Sequence, residues 1–250
     1  MHFGWLTLAH SPSPEDDYLC IEQQLTQAYY AEQLGFDAVW LTEHNFTGES
    51  VFCDPIPFAS TLAARTSRVR IGFAVIQMAL RHPIRLAMQL ALLDNLCKGR
   101  LDIGVGRGSI YNEYEYTGYG LRSHDSRARM DEALEIMSRA WVEAPLVYHG
   151  QYFQVSLPAL RPRPYQRPSP PIWRSVVAPA SFADGSCVCV LRSVRYRLPS
   201  LEYTHAAACI HSSRRFTARS MARDACRSCS ASSAWPRAPG TNVLRSGHCC

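Results

Sequence analysis

The stretch RVRIGFAVIQMALRHPIRLAMQLALLDNLCKGRLDIGVGRG, residues 68–108, decides the fold class. Two apolar runs, residues 69–76 and 100–106, flank a segment that begins at Pro83 and ends at Gly99. Apolar residues recur along that segment at helical spacing: Ile84, Ala87, Met88, Ala91, Leu92 and Leu96. A strand that is apolar throughout is buried on both faces, which is typical of parallel sheets covered by helices. The stretch therefore predicts a strand–helix–strand unit of an α/β fold.

The same alternation continues in both directions over the first 182 residues. Further strands are predicted at residues 2–9, 36–42 and 170–177, and further helices at about 14–34, 55–66 and 125–141. The strands begin about 30 residues apart, which suits a (β/α)8 TIM-type barrel, a fold of typically about 250 residues. A doubly wound open sheet produces the same alternation, so the spacing leaves both architectures open.

The composition of the chain changes at about residue 183. Residues 1–182 hold 16 basic and 18 acidic side chains, whereas residues 183–250 hold 10 and 3, together with seven of the ten cysteines. The chain has one lysine and 25 arginines, which indicates a GC-rich gene, and a GC-rich gene read out of frame yields Arg, Ala, Ser, Pro and Cys in excess. We expect an incomplete barrel of about five strands over 1–182. An irregular tail follows over 183–250, either translated in a shifted frame or a genuine basic, disordered tail.

Several classes of protein are excluded by composition. No run of eighteen apolar residues and no secretory leader pattern is found, so we expect a cytoplasmic protein with no membrane partner. The motif Cys226-x-x-Cys229 lacks a second pair of the same spacing, so no metal site is expected. The basic tail contains no recognisable nucleic-acid module, and we expect no nucleic-acid partner.

Polar side chains stand where three of the predicted strands end. The run FDAVWLTEHNF (36–46) ends in Glu43 and His44, His82 follows the third strand, and Arg107 follows the fourth. Ligands of parallel α/β folds bind at this carboxyl edge. A histidine beside a carboxylate can transfer protons near neutral pH, and an arginine can bind a phosphate.

Each of these residues also has a purely structural interpretation. Glu43 and His44 could lie in a surface loop, His82 could cap a helix, and Arg107 could pair with Glu113 or Glu115. A dinucleotide-binding fingerprint would need glycine at position 109, where the chain has serine, so the glycines of GVGRGS do not favour a Rossmann fold.

Four segments taken together resemble the luciferase-like flavin-dependent monooxygenases, the bacterial luciferase superfamily. They are GFDAVWLTEHNF (35–46), the opening stretch (68–108), VYHGQYFQV (147–155) and RPRPYQRPSPPIW (161–173). The resemblance covers about residues 1–182, and the order and spacing of its motifs are specific. It implies a (β/α)8 barrel in which reduced FMN (FMNH2) and O2 oxidise a small organic substrate. The family also includes enzymes of the deazaflavin F420, which remains the alternative cofactor.

The resemblance also assigns expected roles to individual residues. His44 matches a general base beside the flavin, with Glu43 in support, and His82 matches the substrate side of the pocket. The positions that match flavin-binding residues are Ala74 and Val75, often joined by a cis peptide, then Arg107 at the phosphate, and Ser181. The luciferases have cysteine at the position of Gly106, so light emission is not implied.

Partners and alternative functions follow from the same resemblance. A separate flavin reductase is expected as a partner, and family members are commonly dimers. The family continues through three more strands that cannot be traced after Ala183. A non-catalytic flavin-binding protein or an unstable truncated product therefore remains an alternative, as does an NAD(P)-dependent dehydrogenase on a doubly wound sheet.

Overall fold

The computed structural model describes residues 3–108, 112–177, 187–197 and 200–212, with side chains for 3–108 and 112–174. Five helices are present in this part of the chain: α1 (Asp17–Gln33), α2 (Pro55–Arg65), α3 (Pro83–Leu96), α4 (Glu113–Gly118) and α5 (Ser126–Ala140). The strands are β1 (Gly4–Thr7), β2 (Ala38–Leu41), β3 (Arg70–Gln77), β4 (Leu101–Gly106), β5 (Leu146–His149), β6 (Gln154–Leu157), β7 (Ile172–Val177), β8 (Cys187–Arg197) and β9 (Ser200–Ser212).

The chain divides into two compact units, one of residues 1–176 and 191–208, the other of residues 177–190 and 209–250. In the seven-stranded sheet the strands follow the order β1-β2-β3-β4-β7-β8-β9, and the pairs from β1 to β7 are parallel. Each strand from β1 to β4 therefore neighbours the next one along the chain. In a doubly wound sheet the order of the strands reverses partway, with later strands added on the other side of the first. The observed order therefore excludes that alternative and confirms the barrel-type winding.

One face of the sheet carries the hydrophobic core. Leu41, Phe73, Ile103 and Ile172 lie side by side on four neighbouring strands, and all four are buried. The helices cover this face, with α3 packed against both α2 and α5. Their buried residues, such as Leu90 and Leu134, repeat at helical spacing. Burial beneath a layer of helices thus explains the apolar residues that each strand presents to this face.

An irregularity in β3 shapes the carboxyl edge of the sheet. The register between β3 and β4 shifts between Phe73 and Ile76, and the peptide bond between Ala74 and Val75 is cis, as the resemblance implied. Gly104 of β4 lies opposite this bulge, and a Cβ there would overlap the carbonyl oxygen of Phe73. A glycine is required at this position because the two backbones approach too closely for any side chain.

Three features of the fold were missed by the sequence analysis. The hairpin β5–β6 and the six-residue helix α4 are too short to show a clear hydrophobic period. The backbone forms β8 and β9 where the tail was expected to be irregular, and their sequences, CVCVLRSVRYR and SLEYTHAAACIHS, contain valine, tyrosine and isoleucine, which favour extended chain. The rest of the predicted tail, 213–250, lies outside the described residues.

Candidate functional site

The carboxyl ends of β2, β3 and β4 bring most of the predicted site residues to one edge of the sheet. Glu43 and His44 follow β2 directly, Ala74 and Val75 belong to β3, and Arg107 follows β4. The strands are parallel neighbours, so their ends converge on the same side. The position expected to help bind phosphate, Ser181, lies outside the described residues.

Glu43 is buried and connects β2 to the segment between β3 and α3. Its carboxylate accepts hydrogen bonds from the backbone N–H of Gln77 at 2.9 Å and from Arg81 Nη2 at 2.9 Å. The Gln77 side-chain amide donates in turn to the Glu43 carbonyl at 2.8 Å. Arg81 also contacts Asp54 at 3.2 Å. Burial raises the pKa of Glu43, and the Arg81 cation opposes that rise.

His44 lies between two other carboxylates rather than against Glu43. Its Nδ1 is 3.6 Å from Glu115 Oε1 and 3.6 Å from Glu49 Oε2. The interaction with Glu115 raises the pKa of His44 most strongly, partial burial opposes the rise, and the charges of Glu49 and Glu43 add to it. His44 is therefore more easily protonated than a solvated histidine.

Glu115 is held by donors on both sides of the site. Its Oε1 accepts from the backbone N–H of Asn45 at 3.3 Å and from Asn112 Nδ2 at 3.2 Å. Burial alone would raise the pKa of this carboxyl, but the interaction with His44 and the hydrogen bonds from the surrounding amides outweigh burial and lower it. Glu115 is thus a buried carboxylate that stays ionised at neutral pH.

Some buried polar atoms at this edge have no hydrogen-bond partner. They include Asn45 Nδ2 and Gln77 Oε1, and His44 Nδ1 lies beyond hydrogen-bond distance of both its carboxylates. Buried polar groups are almost always satisfied, and exceptions cluster where a ligand or an ordered water binds. These residues therefore present unsatisfied donors and acceptors suited to the polar edge of a bound molecule.

The backbone beside Arg107 is fixed by Tyr116, whose hydroxyl donates to the Arg107 carbonyl at 2.5 Å. Gly108 has a φ of +93°, and a Cβ there would come within 2.6 Å of the Tyr116 hydroxyl oxygen. Glu115, one of the two glutamates offered by the sequence as an ion-pair partner of Arg107, lies beside His44. The contact of Arg107 with a phosphate stays a prediction.

His82 lies at the start of α3 and meets the hairpin between β5 and β6. Its ring touches the ring of Phe153 edge-on, with centroids 5.7 Å apart. The guanidinium of Arg129 covers the same ring at 4.5 Å, and Glu132 accepts hydrogen bonds from the backbone N–H groups of residues 151–153. The role of His82 towards a substrate stays a prediction, because these contacts are to the hairpin.

The sequence analysis did not find the partners that organise the site. Gln77, Arg81 and Glu115 were not proposed as site residues, although Glu115 was considered as an ion-pair partner. Glu115 is 71 positions from His44 in the chain, and no local spacing connects them. The one available signal was a polar, aromatic loop after a barrel strand, where the loops of this fold carry function.

No group of three or more His, Cys, Asp or Glu side chains is arranged to hold a metal ion within the ranges described. Within those same ranges no helix is both long and apolar enough to span a bilayer.

A cavity of about 680 Å³ lies at the other end of α3, lined by Asn95, Leu160, Arg161 and Arg163 among others.

Comparison with known proteins identifies the family of the chain. Residues 1–184 match the family described as luciferase-like monooxygenase. The chain is 29% identical over 160 residues to the oxygenase component of the flavin-dependent trigonelline monooxygenase of Acinetobacter baylyi, a match that covers 64% of this chain and 44% of the relative.

Two solved structures share the fold. The monooxygenase RslO1 from Streptomyces bottropensis is 35% identical, with a TM-score of 0.66 over 70% of this chain and 53% of that one. The oxygenating constituent of 3,6-diketocamphane monooxygenase of Pseudomonas putida, solved in complex with FMN, is 20% identical with a TM-score of 0.63, over 69% and 50%. The chain spans about half the length of the curated relatives that it matches.

Proposed function

Because the chain belongs to the luciferase-like monooxygenase family, we propose that its carboxyl-edge site binds a reduced flavin, FMNH2, for the oxidation of a small organic substrate by O2. The observation that carries this proposal is the position of His44, a half-buried histidine between two carboxylates beside unsatisfied buried amides. A reactive histidine at the carboxyl edge of barrel strands is the usual placement of a catalytic group in this fold.

The residues at this edge fit a flavin. The backbone of Ala74 and Val75 lies next to Gly104, and Val75 Cγ1 would be 3.6 Å from a Cβ at that position. Such an apolar wall suits a flat ring, while Asn45 Nδ2 and Gln77 Oε1 offer a donor and an acceptor to its polar edge. Arg107 would hold the phosphate.

In this proposal the chain's own residues have two roles. They hold the site in position, and one of them moves a proton. His44 acts as the general base through Nε2, because Nδ1 faces the carboxylates of Glu49 and Glu115. Glu43 fixes the loop that carries His44 by its bonds to Gln77 and Arg81. Bound reduced flavin supplies the electrons that activate O2, and the apolar strands beneath exclude water.

The identity of the cofactor and the partners belongs to the same proposal. FMN is preferred, with F420 as the alternative, and the reduced flavin comes from a separate reductase. We further propose that the protein is cytoplasmic and assembles as a dimer, as its family commonly does. A second candidate function is flavin binding without turnover, which needs only the residues proposed to hold the flavin.

Flavin titration and turnover test the two candidates in sequence. Fluorescence titration of the full chain with FMN, FMNH2 and F420 is expected to show saturable binding of FMNH2, weakened about tenfold or more in Arg107→Ala because a phosphate contact is lost. Binding together with oxidation of added substrates supports the monooxygenase, and binding alone supports the second candidate. If none of the three flavins binds, both candidate functions are ruled out.

If turnover is found, His44→Ala is expected to reduce it by about 10²-fold, the usual contribution of a general base. Arg122→Ala is the matched control, because the Arg122 side chain is 79% exposed and its guanidinium lies 3.0 Å from Asp125. Near-normal turnover in His44→Ala would remove His44 from the catalytic role.

A further inference from the structure

We propose that Glu115 is the positioning residue of His44: its buried carboxylate holds the proton on Nδ1 and so leaves Nε2 free to accept a proton. This inference deepens the proposed function, since it names the group that prepares the proposed base. It also corrects the order expected from the sequence, in which the neighbouring Glu43 supported His44.

The first argument is that the structure ties Glu115 to the segment carrying His44. Glu115 belongs to α4, and its Oε1 lies 3.6 Å from His44 Nδ1 while it accepts from the Asn45 N–H at 3.3 Å. Tyr119, just after α4, donates its hydroxyl to Asn45 Oδ1 at 3.0 Å, and its ring packs against Phe46 at a tilt of 41°, with ring centroids 5.4 Å apart. Residues 44–46 are thus held by α4 at three successive positions.

The second argument compares the carboxylates that face His44. Glu49 is equally close, but its side chain is 33% exposed, whereas that of Glu115 is 0% exposed. Water screens an exposed charge strongly and a buried one weakly, so Glu115 acts more strongly at the same distance. Glu43 is engaged by Arg81 and the Gln77 N–H, which leaves it little capacity for His44.

The third argument concerns the tautomer. A neutral imidazole has one N–H and one lone pair, and the nitrogen that faces a carboxylate keeps the proton. Both carboxylates approach Nδ1, so the lone pair is on Nε2. The distance of 3.6 Å is long for a hydrogen bond, and such contacts often shorten when a ligand completes the site.

The test is an NMR titration of His44 in the full chain, without flavin, in the wild type, Glu115→Gln and Glu49→Gln. We expect the His44 pKa to fall by about one unit or more in Glu115→Gln, on the scale of an opposite charge within 6 Å. In Glu49→Gln the fall should be less than half as large. In the wild type, ¹⁵N shifts should report Nδ1–H as the neutral tautomer. An equal or larger fall in Glu49→Gln, or an Nε2–H tautomer, overturns the proposal.

A second measurement keeps the proposal testable if Glu115→Gln does not fold. The pKa of the Glu115 carboxyl, followed by ¹³C NMR, should lie below its ordinary value in the wild type and rise in His44→Gln, because the coupling of two sites is reciprocal. An unchanged Glu115 pKa overturns the proposal. Both measurements use the flavin-free chain, so a negative result in flavin titration is distinguishable from a negative result here.

Discussion

Gly104 occupies a point where the backbones of two strands approach each other. The bulge in β3 directs the Phe73 carbonyl to the place where a side chain of residue 104 would begin. The neighbouring strand could move away only by breaking the ladder that continues from Ile76 to Val105. One hydrogen atom in place of a methyl group therefore permits the irregular strand end beside which we propose the flavin binds.

Gly104→Ala is expected to destabilise the protein by about 3 kcal/mol, at the upper end of overpacking, because the clash is with backbone. Gly120→Ala is the control: its φ is +69° with no atom within 4 Å of a Cβ, so only the backbone conformation costs free energy, about 1 kcal/mol. Urea unfolding of both variants measures the difference. Equal losses would show that the β3–β4 contact can relax.

His44 makes stability depend on pH in a defined direction. Its pKa is raised in the folded protein, chiefly by Glu115. A proton therefore binds to His44 more tightly in the folded protein than in the unfolded chain, and protonation stabilises the fold. The stabilisation is complete below the unfolded pKa of about 6.5 and is lost as the pH rises through the higher folded value.

The measurable consequence is a difference between two proteins. The wild type should exceed His44→Gln in free energy of unfolding by more at about pH 6 than at about pH 9. Denaturant unfolding at both pH values gives this difference, and other titrating groups cancel to first order. A gap that is constant with pH would show that His44 does not titrate with a raised pKa.

At the scale of elements, Arg81 connects the segment after β3 to the loop between β2 and α2. It follows β3, and its guanidinium contacts Glu43 after β2 at 2.9 Å and Asp54 before α2 at 3.2 Å. The Arg81 side chain is 16% exposed and that of Glu43 is 2% exposed. The two loops at the carboxyl edge are therefore held to each other by a buried ion pair.

Arg81→Met should cost about 3 kcal/mol, because it leaves the Glu43 carboxylate buried without its cation. Arg122→Met should cost at most about 0.5 kcal/mol, since the pair of Arg122 with Asp125 is at the surface. Thermal unfolding compares the two variants. The double variant Arg81→Met with Glu43→Gln should recover part of the loss, and no recovery would contradict the ion-pair explanation.

At the scale of the whole molecule, the chain carries the first part of a barrel. Strand β1 is at one edge of the sheet, and parallel pairing runs from β1 to β7. The family match ends at residue 184, and the composition changes at about residue 183. We hold as a proposal that the chain has a barrel part over 1–182 and an unrelated tail over 183–250, translated in a shifted frame or disordered.

Reading the coding DNA across codons 175–195 in all three frames tests the frame proposal. Another frame should encode apolar strands alternating with amphipathic helices for a further 100 residues or so, the length needed to complete a barrel of about 250 residues or more. A protein expressed in that frame should bind FMNH2 more tightly than the present chain. If no frame encodes such alternation, the frame proposal is wrong and the tail belongs to this protein.

The sequence was most informative about the elements and the edge of the sheet that carries the site. Long apolar runs and clear helical periods located β1–β4, β7 and four helices, because burial beneath helices requires those patterns. It was less informative about α4 and the hairpin β5–β6, whose stability comes from contacts such as those of Glu132 with the hairpin turn. Contacts between distant residues leave no local pattern.

By itself, the sequence predicted the α/β class, the carboxyl edge as the place of the candidate site, and His44 as one of its residues. Each of these follows from short-range patterns: apolar runs, spacing, and polar residues at strand ends. Only the tertiary structure showed which carboxylates lie near His44 Nδ1. Glu43 is adjacent in the chain but is taken by Arg81, while Glu115 arrives on α4 from the end of another strand. Which side chains meet across a site depends on how strands and loops pack together, and no single stretch of sequence contains that information.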